Sequence, residues 1–303
     1  PCSASASAPC GVRVSTVRAD CPHRSRRAVW LLLIGALAVA SGCTGVLQNL
    51  GAKWATNKIA GVFDLDDKQR EATRAAVDRA IAEAPELLGP RLDMLVATAD
   101  RSLHQGMNDK NMLIIERQVD LLMDKAVAWI IDEAAPILAT LRDEQIDHAE
   151  RELDERLQET RDELNAPPAE RLQARQDKFV EAIENWTGRL SDSQEHAIVA
   201  FVASMPDEAP DRLRADEERL AHIASELRKH PGAPAIREHL WQAWKQREDW
   251  GPDTRSAEAR RADGRKTLSF VYELLDADQI DHMSERLHEM HAMVKKLLGT
   301  AEG

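Results

Sequence analysis

Apolar positions recur at steps of three and four along most of the chain. Met112, Ile115, Val119, Leu122, Ala126 and Trp129 make one continuous stripe, and Ile280, Met283, Leu287, Met290, Val294 and Leu297 make a second. Phe179, Ile183, Trp186 and Leu190 repeat the rhythm over a shorter span. That period belongs to helices with one face against a core. No run of alternating β-branched residues supports a strand. Glycine and proline punctuate the pattern, and between them helices are predicted over 46–62, 66–88, 91–105, 109–140, 142–165, 168–188, 191–205, 208–229, 233–249, 254–274 and 276–298. Pro85, Pro90 and Pro136 fall inside helical stretches and are expected to kink or split them. Residues 197–203, AIVAFVA, are apolar all round and should form the most buried helix. Residues 143–163 alternate in charge over a thin stripe of Ile146, Leu153, Leu157 and Leu164, as a solvated helix with i,i+4 ion pairs does. Aromatics are 4% of the chain and helix-favouring residues dominate. The expected fold class is all-α, one elongated multi-helix domain over 65–303.

The N-terminal region follows a different pattern. Residues 28–40 are uncharged and almost wholly apolar, with Arg24, Arg26 and Arg27 before them and Ser41, Gly42 and Cys43 after. A positive flank, a short apolar core and small residues at a cleavage point describe a secretory signal peptide. The run is too short for a hydrocarbon layer about 30 Å thick. Its small-small-Cys ending resembles the lipobox of bacterial lipoproteins. The resemblance implies that Cys43 is acylated and becomes the first residue of the mature protein, with 1–42 removed. Of the four cysteines, Cys2, Cys10 and Cys21 lie upstream, so Cys43 alone remains, and no disulfide is expected. Residues 1–23 show no periodicity and are expected to be leader. Ser25, Arg26 and Arg27 faintly resemble a twin-arginine signal, but no cofactor motif demands folded export. Residues 43–64 (patterned by Leu47, Leu50, Trp54, Ile59 and Val62) are expected to form a short amphipathic tether. With no Ser/Gly linker, the domain should lie close to the membrane. Thr44, not Asp, follows the cysteine, which in such lipoproteins implies the outer membrane.

Charge narrows the partners. Five of the 40 basic residues and one of the 52 acidic ones precede Cys43, so the remainder carries −16. Phosphate backbones and anionic lipid surfaces alike would repel it, which excludes nucleic acid and a basic membrane-binding patch. Membrane attachment is therefore expected through N-terminal acyl chains.

One motif, Leu-x-x-x-Gln, ends at Gln69, Gln145, Gln194 and Gln279 with spacings of 76, 49 and 85 residues. The irregular spacing excludes a solenoid. Leu65, Asp66 and Gln69, then Leu190, Ser191 and Gln194, then Leu275, Asp276 and Gln279 read as helix starts: the Asp or Ser caps, and the Gln closes a capping box. Arg142 is a poor cap, so the Gln145 copy is expected inside a longer helix. Leu-Thr-x-x-Gln repeats mark Spy-type periplasmic chaperones, all-helical cradles for unfolded clients, and these motifs are similar. A broader resemblance rests on Trp54, on 63–69 (FDLDDKQ), on Pro168, Ala169, Glu170 and Arg171, and on 186–191 (WTGRLS) with Gln194. It is to a family of proteobacterial lipoproteins catalogued only as a domain of unknown function. It implies an exported, lipidated helical protein and no activity.

Chemical candidates are few. His282, His288 and His291 cluster with Asp281, Glu285 and Glu289, and Glu285 with His288 resembles half of a di-iron Glu-x-x-His set, but no second copy exists. A solvated helix face explains them better, so no metal or cofactor is expected. There is no Gly-x-Ser-x-Gly, no phosphate-binding glycine loop and no His-Glu-x-x-His. Trp241, Trp244 and Trp250 are concentrated in ten residues, either as core packing or as a patch for an envelope protein partner or client. The expected function is a non-enzymatic binding module or scaffold, chaperone-like in one version. A purely structural envelope component and a metal-dependent enzyme are the alternatives.

Overall fold

Asp66 starts the longest helix of the protein. Its carboxylate accepts the Gln69 N–H at 3.0 Å, while Gln69 Oε1 accepts the Asp66 N–H at 3.1 Å. In the computed structural model, which describes residues 44–250 and 256–298, ten helices and no strand are present among the described residues. The all-α fold class holds. The leader, the cleavage point and Cys43 lie outside the described residues.

The long helix is α2, Asp67–Gln105, and its 39 residues span about 58 Å. It follows α1, Thr44–Phe63, and precedes α3, Asp109–Leu138. The split expected at Pro85 and Pro90 does not occur: both prolines lie inside α2. An interior proline withholds one N–H and costs about 3 kcal/mol, so contacts along the helix must offset that cost. On one side α3 returns antiparallel, joined by Arg79–Glu133 at 2.6 Å, Trp129 to Glu83 at 3.3 Å and Gln118 to Thr98 at 3.1 Å. Along its second half runs α10, Ala277–Leu298, joined by His291–Asp93 at 2.6 Å. Tyr272, from α9 (Ala257–Leu274), donates its hydroxyl to Leu103 O at 2.9 Å.

Two apolar cores form at opposite ends of α2. The first gathers Ala60, Leu65, Ala135, Leu141 and Ile146 with Ala224, Leu227 and Ile236. It joins α1, α3 and α4 (Asp143–Leu164) to α7 (Ala209–Leu227) and α8 (Ala233–Lys245). The second gathers Leu190, Ile198 and Val202 with Phe179, Ile183, Phe270 and Leu275. It joins α5 (Pro168–Thr187), α6 (Asp192–Ser204), α9 and the start of α10. Phe201 and Phe270 stack there with centroids 4.1 Å apart. The AIVAFVA helix, α6, buries Ile198 and Val202 completely, yet Ala200 and Ala203 are exposed. Burial all round does not occur, because α6 is packed on one side only. The stretch expected as a tether is α1, which packs on α2 and α4 and places Ala60 in the first core.

Candidate functional site

The four Leu-x-x-x-Gln motifs pair across the fold. Gln69 Nε2 donates to Gln145 Oε1 at 3.1 Å, and Gln145 Nε2 donates back to Gln69 Oε1 at 2.7 Å. Gln194 and Gln279 repeat this at 2.7 and 3.2 Å. Each amide also donates to a carbonyl five residues before its partner: Gln69 to Thr140, Gln145 to Asp64, Gln194 to Leu274 and Gln279 to Arg189, at 2.7–3.1 Å. Each Oε1 meanwhile accepts the backbone N–H of its own N-cap residue. One glutamine therefore caps its own helix and fastens the turn of a remote one. Leu65, Leu141 and Leu190 are buried beside these amides. The Gln145 copy does not lie inside a longer helix, because Arg142 is the extended N-cap residue of α4. Instead of capping with its side chain, Arg142 reaches Asp66 at 3.0 Å. The Gln69 N–H, then Arg142, hold the Asp66 carboxyl below its usual range.

Two other residues that carry the family resemblance, Arg171 and Gly188, serve helix ends. Arg171 donates to Leu164 O at 2.8 Å, capping the end of α4. Gly188 ends α5 at φ 74°, a left-handed conformation that glycine takes without strain, and the His282 ring lies 3.6 Å from where a Cβ would stand. Thr187 and Leu190 are buried on either side of that turn.

A different surface is left open. Leu113, Ile114, Val119, Leu121, Met123 and Ile130, all on α3, are 39–56% exposed. Ile114 and Leu121 share one flank of the helix by their spacing of seven, and Val119, Met123 and Ile130 share the other. The faces between them are occupied: Gln118, Trp129 and Glu133 meet α2, and Glu116, Asp120 and Asp124 meet α8 and α9. That acidic stripe takes Arg261 at 3.0 Å on Glu116 and 2.6 Å on Asp120, Arg265 at 2.7 Å on Glu116, and Lys245 at 3.0 Å on Asp124. Arg261 also meets Glu248 at 2.6 Å, which lowers the Glu248 pKa. Sequence reasoning missed this network, although the i,i+4 spacings of Glu116, Asp120 and Asp124 and of Arg261 and Arg265 were there to find.

The three tryptophans adjoin this network and are half-buried. Trp244 donates to Asp124 at 2.7 Å, and the Arg247 guanidinium lies 4.0 Å over its ring. Burial raises the Asp124 pKa, but Trp244 and Lys245 outweigh it and the net shift is downward. Lys245 stands 5.5 Å over Trp241, while Trp250 donates to Ala243 O at 3.4 Å and meets the His222 ring at 5.1 Å. Trp244 and Trp250 spend their N–H groups inside the fold. The broader open apolar surface is α3.

The C-terminal histidines are separated. His291 meets Asp93 at 2.6 Å, His288 meets Asp100 at 3.4 Å, and His282 lies against Gly188. Asp281 meets His104 of α2 at 3.5 Å. The α2–α10 seam is thus a row of His–Asp pairs. The Asp100 backbone carbonyl, then the Asp100 and Asp281 carboxylates, raise the pKa of His104. His291 lowers that of Asp93, and Ser284 lowers that of Asp100. A shallow cleft between α7 and α8 is lined by His222, Glu226, Ile236 and His239. No group of three or more metal-ligating side chains converges among the described residues. No helix among them is long and apolar enough to cross a membrane.

A family model described as a family of unknown function, DUF6279, matches residues 62–255, from the end of α1 to beyond α8. No curated protein and no solved structure matches the chain.

Proposed function

The chain belongs to the family of unknown function DUF6279, and we propose that it is a non-enzymatic helical binding module. Its anchor is acylated Cys43, its place the periplasmic face of the outer membrane, and its working surface the apolar flanks of α3. The observation that carries this reading is the exposure of six large apolar side chains on one helix. Apolar area left in water forgoes about 25 cal/mol per Å², and α3 leaves such area on both of its flanks. The glutamine pairs fasten helix starts at both ends of α2. The net charge of −16 beyond the leader keeps copies of the protein apart. An acidic body with two apolar flanks on one helix suits a holder of apolar segments in an unfolded client. It also suits a scaffold for one envelope protein. A purely structural role would use the same helices without engaging α3.

Photo-crosslinking in cells tests the proposal. A photoreactive residue replacing Leu121 or Ile130 should capture envelope proteins, while one replacing Glu155, on the charged face of α4, should not. Equal capture at all three positions, or none, would contradict it.

A further inference from the structure

Helix α1 reverses the usual arrangement of a surface helix. Its inward positions Ala52, Thr56 and Ala60, four residues apart, are only 1%, 4% and 2% exposed. Thr56 turns its hydroxyl back to Ala52 O at 2.7 Å, leaving a flat, small-residue face against the fold. Trp54 points outward instead and is 48% exposed, while Ile59, on the flank of the inward face, is 36% exposed. A surface helix ordinarily turns such residues to the core, so this one has a second apolar contact to satisfy.

Charge identifies that contact. From Cys43 onward acidic residues outnumber basic ones by 51 to 35, yet Thr44–Phe63 contains no Asp or Glu. Its charges are Lys53 and Lys58, both exposed, with no carboxylate on the helix to neutralise them. Trp54 and Lys58, four apart, share a face, and Lys53 flanks it. An indole prefers the lipid–water boundary, where its ring is buried and its N–H stays wet. Lysines beside it complement phosphate, the pattern of helices that lie in an anionic membrane interface.

We infer that the outer face of α1 docks on an anionic phospholipid surface, with Trp54 in the headgroup layer and Lys53 and Lys58 on its phosphates. This rests on the lipid-anchor reading: acyl chains on Cys43 supply attachment and α1 supplies orientation. Two lysines, each worth about fivefold in affinity near such a surface, do not hold a protein by themselves. They suffice to choose which face of an already anchored domain turns to the bilayer, while the acidic remainder is repelled from it.

The test uses the full lipidated chain in detergent, in phosphatidylcholine vesicles, and in vesicles of phosphatidylethanolamine with phosphatidylglycerol. A water-soluble acetylating reagent is applied, and each lysine is followed by mass spectrometry. Lys53 and Lys58 should react about fivefold more slowly in the anionic vesicles than in detergent, with the exposed Lys110 and Lys125 unchanged. Trp54→Ala with Lys58→Glu should restore the detergent rate at Lys53, with helical content unchanged by circular dichroism. Vesicle-bound protein whose Lys53 and Lys58 react as fast as in detergent would overturn the docking and leave the anchor standing. Protein that does not float with either kind of vesicle would overturn both.

Discussion

Gln69 and Gln145 exchange amide hydrogen bonds across 76 residues of sequence, and each also caps its own helix. Gln145 is 2% exposed, so nothing from solvent substitutes for it. Gln145→Ala should therefore strand the Arg142 N–H, Asp64 O and the Gln69 amide together. We expect a loss of about 2–3 kcal/mol, from buried polar groups left unpaired, measured by urea unfolding. Gln194→Ala, at the half-buried end of the other pair, should cost less. Gln145→Ala with Gln279→Ala should be additive, because the two pairs share no partner.

The His–Asp seam between α2 and α10 makes stability depend on pH in two directions. The folded pKa of His104 is raised above its ordinary 6.5. Its contribution is therefore full below the unfolded value and lost as pH rises through the folded one. The folded pKa values of Asp93 and Asp100 are lowered from 3.8, so theirs is present above that value and lost as pH falls through the folded ones. Raising pH from about 5.5 to 8 should lower the melting temperature of the wild type more than that of His104→Gln. Parallel pH dependence in the two proteins would contradict the assignment.

Cys43→Ala addresses the anchor. The variant is expected to leave the membrane fraction as a soluble periplasmic form, or to accumulate as an uncleaved precursor. Normal processing with unchanged membrane fractionation would count against lipidation.

The sequence disclosed what is local and withheld what is tertiary. The boxes at Gln69, Gln194 and Gln279 were legible because a cap and its Gln are three residues apart. Their pairing was not, since nothing in the spacing tells which remote turn an amide will meet. Arg142 misled because a cap was sought in its side chain, whereas its backbone N–H donates to Gln145 Oε1. Pro85 and Pro90 announced a break that packing by α3 and α10 overrode. On α3 the periodicity placed Val119 in the core stripe, yet it is 39% exposed. That helix carries more apolar residues than its neighbours cover, and a pattern cannot show how many neighbours a helix will have. For the same reason the histidines read as one cluster along α10, while in space each meets a different group.

The most direct measurement of the central claim is suppression of aggregation of a chemically denatured test protein by the full chain. Wild type should suppress it near stoichiometric ratios. Ile114→Ser with Leu121→Ser removes two half-exposed apolar contacts, each worth about 1 kcal/mol when covered. It should raise the concentration needed by tenfold or more, with the melting temperature unchanged. Trp241→Ala with Trp244→Ala should act more weakly and destabilise the fold, because Trp244 is bonded to Asp124. No suppression by wild type at several-fold excess would remove the client-holding version and leave the single-partner scaffold, and undiminished suppression by the folded α3 variant would contradict the account.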